Sequence, residues 1–257
     1  MIRRGSPCTL NRQPNTIEKR FNWLIYCLPE NKDNAAILDI GCGIGVYEQK
    51  LERKGFKNVI GIDVDEKSIK QCASTCLNAS FIQSKAEYLP FRESSFDVIL
   101  MIEVLEHVDV VESTLEECHR VLKEGGILCI TTPNRGFPFL THGFRLGNRY
   151  FDLSNMIGIP LPFATYLPIR ILEKIWCARC FRLKNLDDLL KSKGFKIEKC
   201  GFLMPAFDDC GICAKMPRRL RNAIATLFDF LDNNENAWMG STIALKIRKI
   251  SISNPYS

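Results

Sequence analysis

The sequence predicts an α/β protein of the doubly wound type: a parallel sheet covered on both faces by helices, with a mainly helical cap inserted late in the chain. Three observations predict it. Short apolar runs alternate with segments of helical periodicity between residues 35 and 134, the pattern of repeated strand–helix–strand units. Phe96–Ile102 is an apolar run, as a strand covered on both faces must be. Residues 135–180 then break the rhythm with many aromatics and prolines, which marks the insertion.

Each element follows from local pattern. Ile17, Phe21, Leu24, Ile25 and Leu28 recur at helical spacing over residues 15–28, and Pro29 closes that helix. Residues 35–40 are the first strand and run into a glycine-rich turn. Residues 47–54 form a helix stopped by Gly55, and residues 58–62 form the second strand. Asp65 is placed to cap a helix over residues 66–77. Residues 80–83 and 96–102 are the third and fourth strands. Ser113 and Glu116 have the spacing of a capping box within the next helical stretch, whose start lies nearer Asp109. Gly125 and Gly126 end that helix, and residues 127–132, closed by Pro133, are the fifth strand. A helix over residues 183–193 ends at Gly194. Residues 195–203 and 242–248 supply two final strands. The expected organisation is an N-terminal helical segment (1–34), a core (35–134), an inserted cap (135–182) and the C-terminal part of the sheet (183–257).

The formal net charge is +6, with basic residues gathered at Arg3, Arg4, Arg12, Lys19 and Arg20 and again at Lys215, Arg218, Arg219 and Arg221. Such clusters attract nucleic acid, anionic substrates or a membrane surface. No interleaved aromatics or nucleic-acid motif accompany them, so a solvated basic face is expected and nucleic acid is not favoured. The uncharged stretch from Asn155 to Ile169 is too short to span a bilayer and is broken by Pro160, Pro162 and Pro168. With no signal-peptide pattern at the N-terminus, a cytoplasmic protein without a transmembrane segment is expected. The chain has twelve cysteines. Cys72, Cys76, Cys118 and Cys129 fall at core positions of helices or strands, where a free thiol packs as a small hydrophobe.

The most informative stretch is Leu38-Asp39-Ile40-Gly41-Cys42-Gly43-Ile44-Gly45, a strand entering glycines and then a helix. Glycine lets the backbone turn sharply and approach a ligand, and the helix start offers unpaired N–H groups. The dinucleotide fingerprint wants a third glycine where Val46 stands. Asp39, just before the first glycine, would repel a pyrophosphate but favour the amino group of a bound amino acid. Asp63 follows 18 residues after Gly45, near the spacing of about 20 at which a carboxylate meets ribose hydroxyls.

These residues resemble the class I S-adenosylmethionine-dependent methyltransferases (methyltransferase type 11), in particular the group that includes the ubiquinone and menaquinone biosynthetic enzymes. Further motifs carry the likeness in order: Gly61-Ile62-Asp63, Ala86-Glu87-Tyr88-Leu89-Pro90-Phe91, Phe96-Asp97-Val98-Ile99, Val104-Leu105-Glu106-His107-Val108, Leu122-Lys123-Glu124-Gly125-Gly126 and Thr131-Thr132-Pro133-Asn134. The resemblance implies a Rossmann-like, seven-stranded sheet whose last strand is antiparallel. It implies S-adenosylmethionine as cofactor, bound by Asp39, Gly41, Cys42, Gly43, Gly45, Asp63, Val64, Lys85, Ala86 and Glu103. Lys85 stands where the family often carries an Asp that accepts from the adenine amino group, and lysine cannot accept.

Methyl transfer from a sulfonium needs donor and acceptor in line and, for a hydroxyl or amine acceptor, a base. Glu103 follows the fourth strand at the carboxyl edge of the sheet, and Glu106 and His107 come in the next turn. Glu103 and His107 are the candidate catalytic residues. Two readings stay open for the trio: a divalent-metal or base site, or a loop fixed by hydrogen bonds. His142 is the single histidine of the insertion, and Cys177 stands where relatives often place another. His119, mid-helix, is expected on the surface. Cys177 and Cys180, with Cys210 and Cys213, form two C-x-x-C pairs able to hold zinc. The aromatics of residues 135–180 suggest an apolar lid, with peripheral membrane contact or plain cap core as alternatives. The expected function is therefore methyl transfer to a small, apolar acceptor, oxygen favoured. An RNA or protein methyltransferase and a non-catalytic cofactor-binding regulator are the alternatives.

Overall fold

A computed structural model describes residues 16–76, 78–137, 144–146, 149–151, 179–203, 217, 219–220, 223, 226 and 240–250. Seven strands form one sheet: β1 (Ala36–Ile40), β2 (Asn58–Asp63), β3 (Ser80–Gln83), β4 (Phe96–Ile102), β5 (Leu122–Pro133), β8 (Phe195–Leu203) and β9 (Thr242–Lys249). Their order is β3-β2-β1-β4-β5-β9-β8. The first five pair in parallel, and β9 runs antiparallel between β5 and β8.

Alternation along β4 sorts the two faces. Val98, Leu100 and Ile102 join Phe21 and Leu24 of α1 (Thr16–Cys27) and Leu51 of α2 (Val46–Arg53) in one buried cluster. Ile99 and Met101 join Leu115 and Cys118 of α4 (Val111–Val121) on the other face, with Leu186 and Leu190 of α5 (Leu183–Ser192). Helix α3 (Glu66–Thr75) packs beside β2 and β3. The free thiols of Cys27, Cys42, Cys72, Cys76, Cys118 and Cys129 are buried, as small apolar groups should be. Asp65 caps α3 as expected, its carboxylate accepting from the Lys67 and Ser68 N–H groups at 3.4 and 3.1 Å.

Two local expectations are corrected and one, the placing of α4, holds. The Ser113–Glu116 pair lies inside α4, which starts at Val111. The loop just before it is held from outside: Glu87 Oε1 accepts from the Asp109 and Val110 N–H groups at 2.7 and 3.3 Å. Gly125 and Gly126 do not end the helix but lie within β5. Leu122 pairs with Phe96, and the register then shifts so that Ile127 pairs with Val98. Gly125 takes φ +70° in that irregularity, and Gly126 lies against the Leu122 side chain. His119 is half-buried, edge-on to Phe195 with ring centroids 5.3 Å apart.

Within the insertion, β6 (Phe144–Leu146) and β7 (Arg149–Phe151) form an antiparallel pair. The expected helical cap otherwise lies outside the described residues. Among those described, no helix is long and apolar enough to cross a membrane.

Candidate active site

The glycine turn follows β1 because three glycines supply the backbone angles it needs. Gly41, Gly43 and Gly45 all have positive φ, at 76°, 53° and 78°, a region costly for other residues. A Cβ on Gly41 would fall 2.4 Å from Val104 Cγ2, whereas one on Gly43 would meet nothing within 4 Å. Gly41 is thus needed for packing, and Gly43 leaves open space against which a ligand can lie. The N–H groups of Gly41 and Cys42 donate to the Ile62 carbonyl at 2.7 and 2.9 Å, tying the turn to β2.

Asp63, at the end of β2, braces the same turn. Its Oδ2 accepts from the Gly43 N–H at 2.9 Å, and Oδ1 accepts from the Asp65 N–H at 2.9 Å. Each oxygen retains a further lone pair, so the carboxylate can hold a diol without releasing the loop. Asp39 lies behind the turn, 1% exposed, and burial with Glu48 alongside pushes its carboxyl well above the ordinary range. Burial, more than the nearby acids, also pushes the Cys42 thiol up.

Gly41, Asp63, Val64, Lys85, Ala86, Glu103 and His107 line one cleft of about 450 Å³, within the range of small-molecule sites. Lys85 points its ammonium to Asp109 at 3.0 Å on the exposed rim, which keeps the cation off the cleft floor. Val64 is exposed on the rim and Ala86 is buried.

On the opposite wall, Glu103 takes φ +59°, an unusual angle for a residue with a side chain and one that clusters at functional sites. Its carboxylate bonds to the Arg20 guanidinium at 2.8 Å and accepts from Thr131 Oγ1 at 3.0 Å. Burial raises its pKa, opposed by Arg20 and Thr131. Glu106 is 3% exposed. Its Oε2 accepts from Thr132 Oγ1 at 3.2 Å while Oε1 has no partner among the described residues. Burial, and then the neighbouring Glu103 charge, push it up to about 8. His107 faces the cleft, and partial desolvation lowers its pKa, so its imidazole is neutral near pH 7.

Thr131 and Thr132 therefore serve the two glutamates. Asn134 is a turn residue, donating to the Gly240 carbonyl at 2.8 Å and accepting from the Gly136 N–H at 2.8 Å. Cys180 is half-buried near Glu103 and Glu106, and burial first, then those carboxylates, push its thiol up to about 12. Cys177, Cys210 and Cys213 lie outside the described residues, as does His142. No cluster of three or more metal-binding side chains occurs among the described residues.

Two site residues escaped the sequence pattern. Arg20 was placed in a solvated basic cluster, yet it reaches Glu103 from α1. Arg179, between two of the cysteines, donates to the carbonyls of Val108 and Asp109 and so pins the loop after β4. Neither carries a local signal, because each partner lies some 70 residues or more away. Of the remaining basic positions, Arg219 is exposed, and Arg3, Arg4, Arg12, Lys215, Arg218 and Arg221 lie outside the described residues.

A family model described as a methyltransferase domain matches residues 38–130. A ubiquinone biosynthesis O-methyltransferase from Caulobacter vibrioides is 38% identical over 108 residues, 40% of this chain and 42% of that protein. The chain thus spans less than half the length of the curated relatives it first matches. An S-adenosylmethionine-dependent methyltransferase from Mesorhizobium loti superposes with a TM-score of 0.62 at 18% identity, covering 90% of this chain and 97% of that one. The cyclase SpnF superposes at 0.57 and 18% identity, over 91% of this chain and 81% of its own. Residues 38–130 thus match a methyltransferase domain, and they sit in a seven-stranded sheet of the kind found in S-adenosylmethionine-dependent methyltransferases of known structure.

Proposed function

We propose that the protein transfers the methyl group of S-adenosylmethionine to a small apolar acceptor in the cytoplasm, with oxygen as the receiving atom. The observation that carries this reading is the single cleft that joins the glycine turn and Asp63 to Glu103 and His107. The cofactor supplies an already activated methyl group. The protein's tasks are then to align donor and acceptor and to accept the acceptor's proton. In this reading the turn from Asp39 to Gly45 holds the amino-acid end of the cofactor and Asp63 holds its ribose. Val64, Lys85 and Ala86 flank the base, and Glu103 reaches both cofactor and acceptor.

His107, neutral near pH 7, takes the acceptor's proton. Glu103, held by Arg20 and Thr131, orients the hydroxyl. Oxygen is favoured by the names of the curated relatives, and an apolar acceptor by the aromatics of residues 135–180. The fold by itself does not carry the chemistry, since a cyclase shares it. A zinc clamp at Cys177, Cys180, Cys210 and Cys213 is a separate proposal supported by spacing alone, and elemental analysis decides it.

The test is incubation of purified protein with methyl-labelled cofactor, a panel of apolar phenols and amines, and fractionated cell extract. Label is expected in organic-soluble methyl ethers. Label in precipitated RNA or protein would replace the small acceptor with a macromolecule. Cofactor binding with no transfer to any fraction would make the protein a regulator.

A further inference from the structure

Behind the glycine turn Asp39 is joined by a second carboxyl, Glu48, that the reading above does not use. Asp39 of β1 and Gly61 of β2 are register partners, so their side-chain positions share a face of the sheet. Gly61 leaves its place empty, and the Glu48 carboxyl enters it from α2. A Cβ on Gly61 would fall 2.7 Å from Glu48 Oε1 and 2.9 Å from Cys42 Cβ.

Asp39 and Glu48 are 1% and 0% exposed, within hydrogen-bonding reach of one another. Asp39 Oδ2 and both Glu48 oxygens find no donor among the described residues. Two carboxyl groups can bond only if one carries a proton, and two like charges this close and this dry do not both ionise. Buried acceptors without donors are rare in folded proteins, so a proton held by the pair resolves the arrangement.

The neighbouring groups add no positive charge. Glu52 faces the pair from α2, Asp63 from β2, and the Cys42 and Cys72 thiols from the turn and α3. Tyr47 stands beside Asp39, and Arg20, which reaches Tyr47 from α1, is ion-paired with Glu103. Burial pushes Glu48 up to about 7 and raises Asp39 well above the ordinary carboxylate range. The ligand-free pair is therefore protonated twice in mild acid and once in mild base.

We propose that Glu48 is a positioning residue for the cofactor, sharing a proton with Asp39, and that the pair sheds its second proton when a cationic ammonium group docks at the glycine turn. This rests on the cofactor reading above. The docked ammonium favours the singly charged pair over the neutral one. One proton leaves to solvent for each ligand bound in mild acid, and none leaves once the pair is already ionised. Affinity then falls by about tenfold per pH unit below the pair's titration and is flat above it.

Calorimetry decides this, with S-adenosylhomocysteine as probe, because it keeps the ammonium and lacks the methyl group. Titrations at about pH 6 and about pH 8, each in two buffers of different ionisation enthalpy, count the protons released. Release approaching one proton at the lower pH and none at the higher is expected for the natural protein. Glu48→Gln supplies an amide N–H to Asp39, so it should bind with no release and a pH-independent Kd. Binding without proton release in the natural protein overturns this inference alone, whether or not the variant folds. Release that survives unchanged in a folded Glu48→Gln also overturns it. No binding at any pH overturns the cofactor reading and this inference with it.

Discussion

A carboxyl group buried among apolar side chains keeps its proton, and Glu106 is the clearest case on the acceptor wall. It sits at about 8, against an ordinary 4.5, because burial and the Glu103 charge both oppose ionisation. Below the ordinary value both folded and unfolded chains are protonated. Between the two values only the folded chain keeps the proton, so the folded state binds more protons and loses stability as pH rises. The stability that protonated Glu106 contributes is thus fully present at the acid end and gone above about 8. Glu106→Gln should match the natural protein near pH 5 and be the more stable of the two near pH 9, as read from urea unfolding at both values. A variant whose disadvantage grew with pH would refute the assignment. The glycine turn and the carboxylate of Asp63 beyond it were legible because their spacing is local. The protonation of Glu106 was not, because burial by β4, β5 and the loop between β4 and α4 sets it.

At the scale of elements, α1 does more than cover the sheet. Phe21, Leu24 and Cys27 anchor it in the core, and that anchoring carries Arg20 to Glu103. Removing one partner of a partly buried ion pair leaves the other uncompensated. The pair is 20% and 14% exposed at its side chains, so solvent screening reduces the cost to about 1–3 kcal/mol. Arg20→Met should lose that much stability and slow methyl transfer at least tenfold, while α1 stays docked through its apolar face. A cycle with Glu103→Gln checks it: strictly additive losses would mean that the two side chains do not act together. Strand positions were readable because apolar alternation is local. The start of β5 was misread for a physical reason: a glycine pair that resembles a helix stop is absorbed by an irregular strand start.

On the scale of the whole molecule, the cleft sits where the sheet reverses its strand order. β1 lies between β2 and β4, and ligands of open α/β sheets bind at the carboxyl ends of strands at such a switch. That topology was legible because alternating strands and helices allow few arrangements. The acceptor was not, because residues 135–182 offer only composition. A cofactor in this cleft touches the ends of β1, β2 and β4 and the loop that Arg179 pins, and β1 and β4 pass through both buried clusters. Binding should therefore raise the melting temperature of the molecule as one unit. A ligand at about 100 times its Kd adds about 2.7 kcal/mol to a folded state that alone binds it. For a chain of 257 residues this corresponds to a shift of roughly 5–10 °C. Differential scanning calorimetry with S-adenosylhomocysteine should show a single transition moving upward with the logarithm of ligand concentration. Asp63→Ala removes the brace on Gly43 and, in the proposed reading, the ribose acceptor, so the same shift should need about tenfold more ligand or greater. A full shift in that variant at unchanged concentration would move the nucleotide away from β2.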